Sequence, residues 1–288
     1  MLPAKKIIHV NNVQIAVLQQ KALLVACKTD PVSTLVLLHG FTGSARSWEG
    51  LFDELVMPGM QVIALDMLGH GQSDAPDDPG RYTIEHCQAD IIATLQEPGV
   101  GAGEAILLGY SMGGRIALYS AFSRFFRALI LESASPGLAS ELEREQRRQS
   151  DMALAASIEQ EGIAAFVERW ENLPLFASQS NLPAEVREAL HQQRLLNRAT
   201  GLANSLRGVG TGVQPTLHEQ LAKLNIPVML IAGELDTKFC TIARQMVQQL
   251  PQAILHIVPG AGHTVHLEQP ELFVQFVREF CVQVLSTE

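Results

Sequence analysis

A chain of 288 residues that is 47% hydrophobic can bury a sizeable core, and it fits one enlarged domain or two small ones. The formal charge of −9, with no basic block, leaves no footprint for nucleic acid. No apolar run reaches the roughly 18 residues of a membrane span, and the start lacks the pattern of a signal peptide, so the expected location is cytoplasmic. The four cysteines (Cys27, Cys87, Cys240 and Cys281) show neither C-x-x-C spacing nor the density of a disulfide scaffold, and they read as buried thiols.

Residues 7 to 27 alternate and are β-branched, with Gln19-Gln20-Lys21 as the turn, so they predict one or two antiparallel edge strands. Leu35-Val36-Leu37-Leu38 is a continuous apolar run of the kind buried on both faces of a parallel sheet. It ends in His39-Gly40-Phe41-Thr42-Gly43-Ser44, a glycine-bearing loop that puts the Phe41 N–H at the carboxyl edge of the sheet. A helical pattern covers Ser47 to Met57, and Gln61 to Leu65 predicts the next strand, followed by a long polar loop from Asp66 to Asp74. Residues 83 to 97 predict a helix capped by Thr83, and Ala105 to Gly109 a strand that feeds Gly109-Tyr110-Ser111-Met112-Gly113. This G-x-S-x-G pattern marks a strand-to-helix turn so tight that its serine is strained and exposed. Ser111 to Phe122 continues as a helix, and Ala128 to Glu132 is another strand. Alternating strands and helices imply a parallel sheet with right-handed crossovers.

From Leu138 to Gln214 the strand rhythm stops, and only helical patterns remain, over Glu141–Gln160, Ile163–Trp170 and Pro183–Leu206. This reads as a helical cap, residues 138–214, inserted into a core made of residues 1–137 and 215–288. All eight basic residues of the cap are arginines, against ten acids, whereas six lysines occur elsewhere. Strands return at Pro227–Ala232 and Ile254–Val258, each followed by a loop, with helices over Thr241–Leu250 and Pro270–Leu285.

Three of those loops carry Ser111, Asp236 and His263, in the order nucleophile, acid, base that characterises α/β hydrolases. Each follows a predicted strand, so all three fall at one edge of one sheet, where open α/β folds place ligands. The fold expected is therefore the α/β-hydrolase fold, a mostly parallel eight-stranded sheet flanked by helices with an inserted cap. Ser111 is a weak nucleophile or base until His263 accepts its proton, and Asp236 holds the imidazole in the useful tautomer. The backbone N–H groups of Phe41 and Met112 face a developing oxyanion, each donor being worth roughly 3–4 kcal/mol. Glu132 also ends a strand and is the rival acid, but the Asp236 loop precedes the histidine as the motif order requires. No G-x-G-x-x-G follows the first strand, no phosphate-binding P-loop exists and no metal-ligand spacing is present, so no cofactor or metal is expected.

Across nearly its whole length the sequence resembles the MenH-type 2-succinyl-6-hydroxy-2,4-cyclohexadiene-1-carboxylate synthases of menaquinone and phylloquinone biosynthesis, within the α/β-hydrolase superfamily. Arg115 directly after the elbow, Glu234-Leu235-Asp236 with Lys238-Phe239, and Gly210-Thr211-Gly212-Val213-Gln214-Pro215 discriminate this branch. The resemblance implies a lyase that eliminates pyruvate, with the triad acting as a base and the oxyanion hole holding an enolate. It also implies a small-molecule polycarboxylate as substrate, gripped by Arg115 and lined by Tyr110 and Trp170. From the cap, Arg148 and Arg194 are the nominated carboxylate ligands, with Arg147 and Arg198 as rivals. The same triad and cap serve hydrolysis of an ester or a carbon–carbon bond in sister families, and a signalling receptor on this fold is a third possibility. Oligomeric state has no signature in the sequence.

Overall fold

The computed structural model describes residues 3–21 and 33–286, so Cys27 and the end of the predicted N-terminal alternation lie outside the described residues. The chain opens with β1 (Ala4–Val10) and β2 (Val13–Gln20), which pair antiparallel. Their turn is Asn11-Asn12, both at positive φ (49° and 64°), and not Gln19-Gln20-Lys21 as the sequence suggested. Two consecutive left-handed residues match the twist of a hairpin, and asparagine adopts that conformation far more readily than glutamine. Gln19 and Gln20 instead finish β2 and pair with Ile63 and Val62 of the strand beside it.

That neighbour is β4 (Met60–Leu65), reached after β3 (Ser33–Leu38) and the short helix α1 (Phe52–Leu55). Helix α2 (Ile84–Gln96), β5 (Ala105–Tyr110), α3 (Met112–Ala121) and β6 (Phe126–Glu132) follow. Thr83 caps α2 as expected, its hydroxyl accepting from the His86 N–H. Between β6 and β7 (Val228–Gly233) the described elements are all helical and include α4 (Glu141–Glu171), α5 (Ala184–Leu195) and α6 (Ala199–Val209). The chain closes with α7 (Thr237–Gln249), β8 (Ala253–Val258), α8 (Val265–Glu268) and α9 (Pro270–Ser286). One eight-stranded sheet results, in the order β1-β2-β4-β3-β5-β6-β7-β8, antiparallel only at β1/β2 and β2/β4.

The period of two along the strands sorts side chains between the two faces. Val36 and Leu38 of β3 with Leu107 of β5 pack under α2, α3 and α7, while Leu35, Leu37, Ile106 and Leu108 face α1 and α9. Because β3 and β5 lie in the middle and are covered on both sides, their apolar runs are unbroken. The helices between β6 and β7 have a smaller core of their own, with Phe166 and Val167 against Leu202 and Leu206.

Two breaks divide these helices. Gly162, at φ 83° and ψ 171°, splits α4 where two separate helical patterns were read. The single pattern read over Pro183–Leu206 is interrupted after α5: Arg198 is extended, and the Asn197 side chain turns away to donate to the Thr42 carbonyl at 2.8 Å. This tertiary contact overrides local propensity.

Loops at the carboxyl ends of β3 and β4 hold two buried histidines. His39 Nε2 accepts from the Met67 N–H at 3.0 Å, so Nδ1 carries the proton and donates to the Gly40 carbonyl at 2.8 Å. His70 Nδ1 donates to the Leu68 carbonyl at 3.1 Å, and the two rings lie 5.0 Å apart. Burial pushes His39 down to about 4 and His70 down to about 3 from an ordinary 6.5.

Both groups stay neutral while the unfolded chain takes up protons, so the stability they permit is full above pH 6.5 and is lost as pH falls towards 4. At pH 5 each costs about 2 kcal/mol. Urea denaturation at pH 7 and pH 5 checks this: the midpoint drops at pH 5, and drops less in His39→Gln. Equal drops in the two proteins would count against a buried neutral imidazole. A second expectation concerns Gly113, where an added Cβ meets the Leu38 carbonyl oxygen at 2.4 Å. Gly113→Ala is expected to destabilise by about 3 kcal/mol and lower Tm by roughly 6–12 °C, as calorimetry would show.

Candidate active site

The turn between β5 and α3 is built by what its residues lack. A Cβ on Gly109 would sit 2.3 Å from the Gly113 carbonyl oxygen, and one on Gly113 would sit 2.4 Å from the Leu38 carbonyl oxygen, so the first turn of α3 approaches β5 and β3 only because neither position carries a side chain. Ser111 at the apex adopts φ 51° and ψ −108°, a conformation that is unusual for a residue with a side chain. Two backbone bonds hold it there: its N–H donates to the Glu132 carbonyl at 2.9 Å, and its carbonyl accepts from the Arg115 N–H at 3.0 Å.

His263 arrives on the loop after β8, which comes so close to β7 that a Cβ on Gly233 would lie 2.0 Å from the Gly262 carbonyl. Its Nε2 is 3.0 Å from Ser111 Oγ and its Nδ1 is 2.6 Å from Asp236 Oδ2. Asp236 does two jobs, since its other oxygen, Oδ1, accepts from the Phe239 N–H at 3.2 Å and caps α7. The helix therefore starts at Thr237, one turn earlier than the predicted Thr241. The imidazole is 2% exposed, with the Phe239 ring 4.7 Å away on one side and Tyr110 5.4 Å away on another. A ring bonded in this way on both nitrogens can take a proton from the hydroxyl while its second N–H stays anchored to a carboxylate.

Glu132, the rival acid, is committed elsewhere. Its carboxylate is fully buried and accepts from the His266 backbone N–H at 3.0 Å and ring Nδ1 at 2.8 Å. Phe41 and Met112 both reach the wall of a cavity of about 240 Å³ that also receives Ser111 and His263. The Gly40–Phe41 peptide is oriented from behind. Its carbonyl accepts from His39 Nδ1 at 2.8 Å and from the Gly43 N–H at 3.0 Å. Because C=O and N–H point oppositely in a trans peptide, the Phe41 N–H is turned away from these donors. Met112 opens α3, so its N–H has no acceptor within the helix.

Tyr110, Arg115 and Trp170 also line the cavity, together with Arg147 and Lys238. The Tyr110 hydroxyl is 2.8 Å from Thr264 Oγ1, and burial raises its pKa, keeping it protonated. Arg115 is 9% exposed and donates from Nη1 to the Val209 carbonyl at 3.0 Å and to Gln214 Oε1 at 2.5 Å. Burial, and then the charge of Arg147, pull it down to about 10, so it remains a cation at neutral pH.

The two nominated helix arginines lie off this cavity. Arg148 points outward to ion pairs with Glu145 at 2.5 Å and Glu141 at 2.9 Å, whereas its neighbour Arg147, one helical position away, is the one on the cavity wall. Arg194 is buried, donates to Glu171 at 2.9 Å and Gln179 at 3.3 Å, and stands 5.4 Å above the Phe176 ring. Its contact with the site is indirect, since Gln179 Nε2 donates to Thr264 Oγ1 at 2.9 Å, next to His263. Arg198 donates to the Ser73 carbonyl. Lys238, not among the site residues expected from the sequence, reaches the cavity from the first turn of α7, two residues after Asp236. Among the described residues no cluster of three His, Cys, Asp or Glu could hold a metal ion, and no helix is long and apolar enough to cross a membrane.

Residues 33–270 match the family model for the α/β hydrolase fold. A Bacillus subtilis protein provisionally named 2-succinyl-6-hydroxy-2,4-cyclohexadiene-1-carboxylate synthase is 44% identical over 87% of this chain and 90% of its own. A Serratia proteamaculans protein with that name is 36% identical over 86% of this chain and 92% of its own. The structure of MenH from S. aureus superposes with a TM-score of 0.87 at 32% identity, covering 93% of this chain and 98% of that one. With its fold, its Ser111–His263–Asp236 geometry and these relatives, the chain belongs to the 2-succinyl-6-hydroxy-2,4-cyclohexadiene-1-carboxylate synthase family within the α/β-hydrolase fold.

Proposed function

We propose that this chain is a carbon–oxygen lyase of menaquinone or phylloquinone biosynthesis. It eliminates pyruvate from 2-succinyl-5-enolpyruvyl-6-hydroxy-3-cyclohexene-1-carboxylate to give 2-succinyl-6-hydroxy-2,4-cyclohexadiene-1-carboxylate. One observation carries this reading beyond the names of the relatives: the Ser111–His263–Asp236 line opens into the same cavity as Arg115, a buried cation bonded only to uncharged acceptors among the described residues. Hydrolysis of an uncharged ester needs the triad but no carboxylate receptor beside it.

In this mechanism Ser111 Oγ, its proton relayed to His263 Nε2, removes the ring proton next to the succinyl ketone. The ketone oxygen becomes an enolate, which the Phe41 and Met112 N–H groups stabilise. Electrons return through the ring double bond, the carbon–oxygen bond to the enolpyruvyl group breaks, and the departing enolate takes up a proton and becomes pyruvate. Asp236 keeps the His263 proton on Nδ1 throughout. Residues 138–214 act as the cap over a core of residues 1–137 and 215–288, in the cytoplasm, and the chain needs no cofactor.

A coupled assay for pyruvate, with the substrate made in situ by the preceding enzyme, tests the reading. Fast pyruvate release supports it, and turnover of p-nitrophenyl esters without pyruvate release sinks it. Ser111→Ala is expected to lower kcat at least ~100-fold, the usual weight of a positioned proton-transfer group. Arg115→Ala is expected to lower kcat/KM by about 10- to 100-fold with circular dichroism unchanged, as a lost charge-assisted hydrogen bond does; an unchanged kcat/KM would refute the carboxylate clamp.

A further inference from the structure

The seat of Arg115 has an unusual composition. A guanidinium buried to this degree is ordinarily matched by a carboxylate, because an unpaired buried charge is costly. Here both partners of Nη1 are neutral: the Val209 carbonyl at the end of α6 and Gln214 Oε1 at 2.5 Å. The acid near this site, Asp151, is taken by Arg147 Nε at 2.7 Å. Arg115, Arg147 and Asp151 therefore form a group of two cations and one anion with a net charge of +1, whose two arginines line the cavity that holds Ser111.

Gln214 is itself 1% exposed, and its Nε2 is a buried donor without a partner among the described residues. Leaving such a donor unpaired is unfavourable. Glutamate has nearly the same shape, needs no donor partner and would pair with Arg115 directly, so stability alone does not explain the amide. The amide orientation is also fixed, because only the carbonyl oxygen can face a guanidinium. Finally, every hydrogen bond from Arg115 to the described residues leaves from Nη1. The Nε–Nη2 edge, the fork that takes a carboxylate with two parallel bonds, is left unengaged.

We propose that Gln214 is a specificity-determining positioning residue. As a neutral acceptor it anchors Arg115 by Nη1 and leaves both the charge and the Nε–Nη2 fork for a carboxylate of the substrate. This rests on the lyase reading above, in which the substrate is a polycarboxylate. The site thus selects anionic ligands through the absence of one negative charge as much as through the presence of a positive one.

The test compares wild type with Gln214→Glu, which places a competing carboxylate on Arg115, and Gln214→Met, which keeps the volume but removes the acceptor. Gln214→Glu is expected to raise KM at least tenfold with kcat within about threefold, and Gln214→Met to raise KM less. In an Arg115→Ala background, Gln214→Glu should add nothing further, because the two changes act through one contact. Binding of phthalate, followed through the fluorescence of Trp170 on the cavity wall, gives a readout independent of turnover; it should weaken at least tenfold in Gln214→Glu. Wild-type turnover with equal KM in all three proteins overturns the role of Gln214 alone. Absence of pyruvate release from wild type overturns the lyase reading, and the phthalate series then decides on Gln214: tenfold weakening upholds it, while equal binding, or no binding by wild type, removes it.

Discussion

The site depends on one strained residue. Holding Ser111 at φ 51° and ψ −108° costs on the order of 1–3 kcal/mol, and the surrounding structure has to over-determine it. It does so with backbone alone: the Glu132 carbonyl from the next strand, the Arg115 amide from the first turn of α3, and glycines at 109 and 113 that let strand and helix touch. The elbow is thus a property of the sheet centre, where β3, β5 and β6 pair in parallel and are buried on both faces. Rigidity there is what allows a hydroxyl to stand at a fixed distance from an imidazole carried by a loop more than 150 residues later.

Around that fixed point the protein arranges polar groups at two depths. Three of those touching the cavity are held by a neighbour that does not line it: His263 by Asp236, the Gly40–Phe41 peptide by His39, Arg115 by Gln214. Depth also separates two similar-looking acid–histidine pairs. Glu132 and His266 have the same chemistry as Asp236 and His263 but are sealed against Trp48, 4.3 Å from the His266 ring. They tie the loop carrying His263 to the strand whose carbonyl holds Ser111.

Much of this was legible in the residues themselves. Unbroken apolar runs at Leu35–Leu38 and Ala105–Gly109 place the central strands, because only strands covered on both faces can dispense with alternation. The chemistry-bearing loops follow from what ends each run. Orientation about a helix axis was less legible: Arg147 and Arg148 differ by one position, about 100° around α4, and composition is the same for both. Gln214 belongs to a stretch that marks the family, but its role was not legible there, since a glutamine in a glycine-rich stretch has the composition of a surface loop and its contact with Arg115 spans 99 residues. The position of the hairpin turn is not legible from polarity, which Gln19–Lys21 and Asn11-Asn12 share; backbone handedness at Asn11-Asn12 decides it.

Asp236 illustrates a coupling that reaches beyond this one molecule. One of its oxygens stabilises the start of α7 and the other holds His263, at 3.2 Å and 2.6 Å. A longer glutamate cannot do both from the same backbone position, and an asparagine that keeps the cap gives up the charge. Folding and proton transfer therefore constrain the same side chain for independent reasons. During divergence of the lineage, a change here is screened twice, so relaxed selection on the chemistry would still leave the aspartate in place as a helix cap. The acid of such a site can outlast its activity, and its presence in a distant homologue is weaker evidence of turnover than the strained serine opposite it.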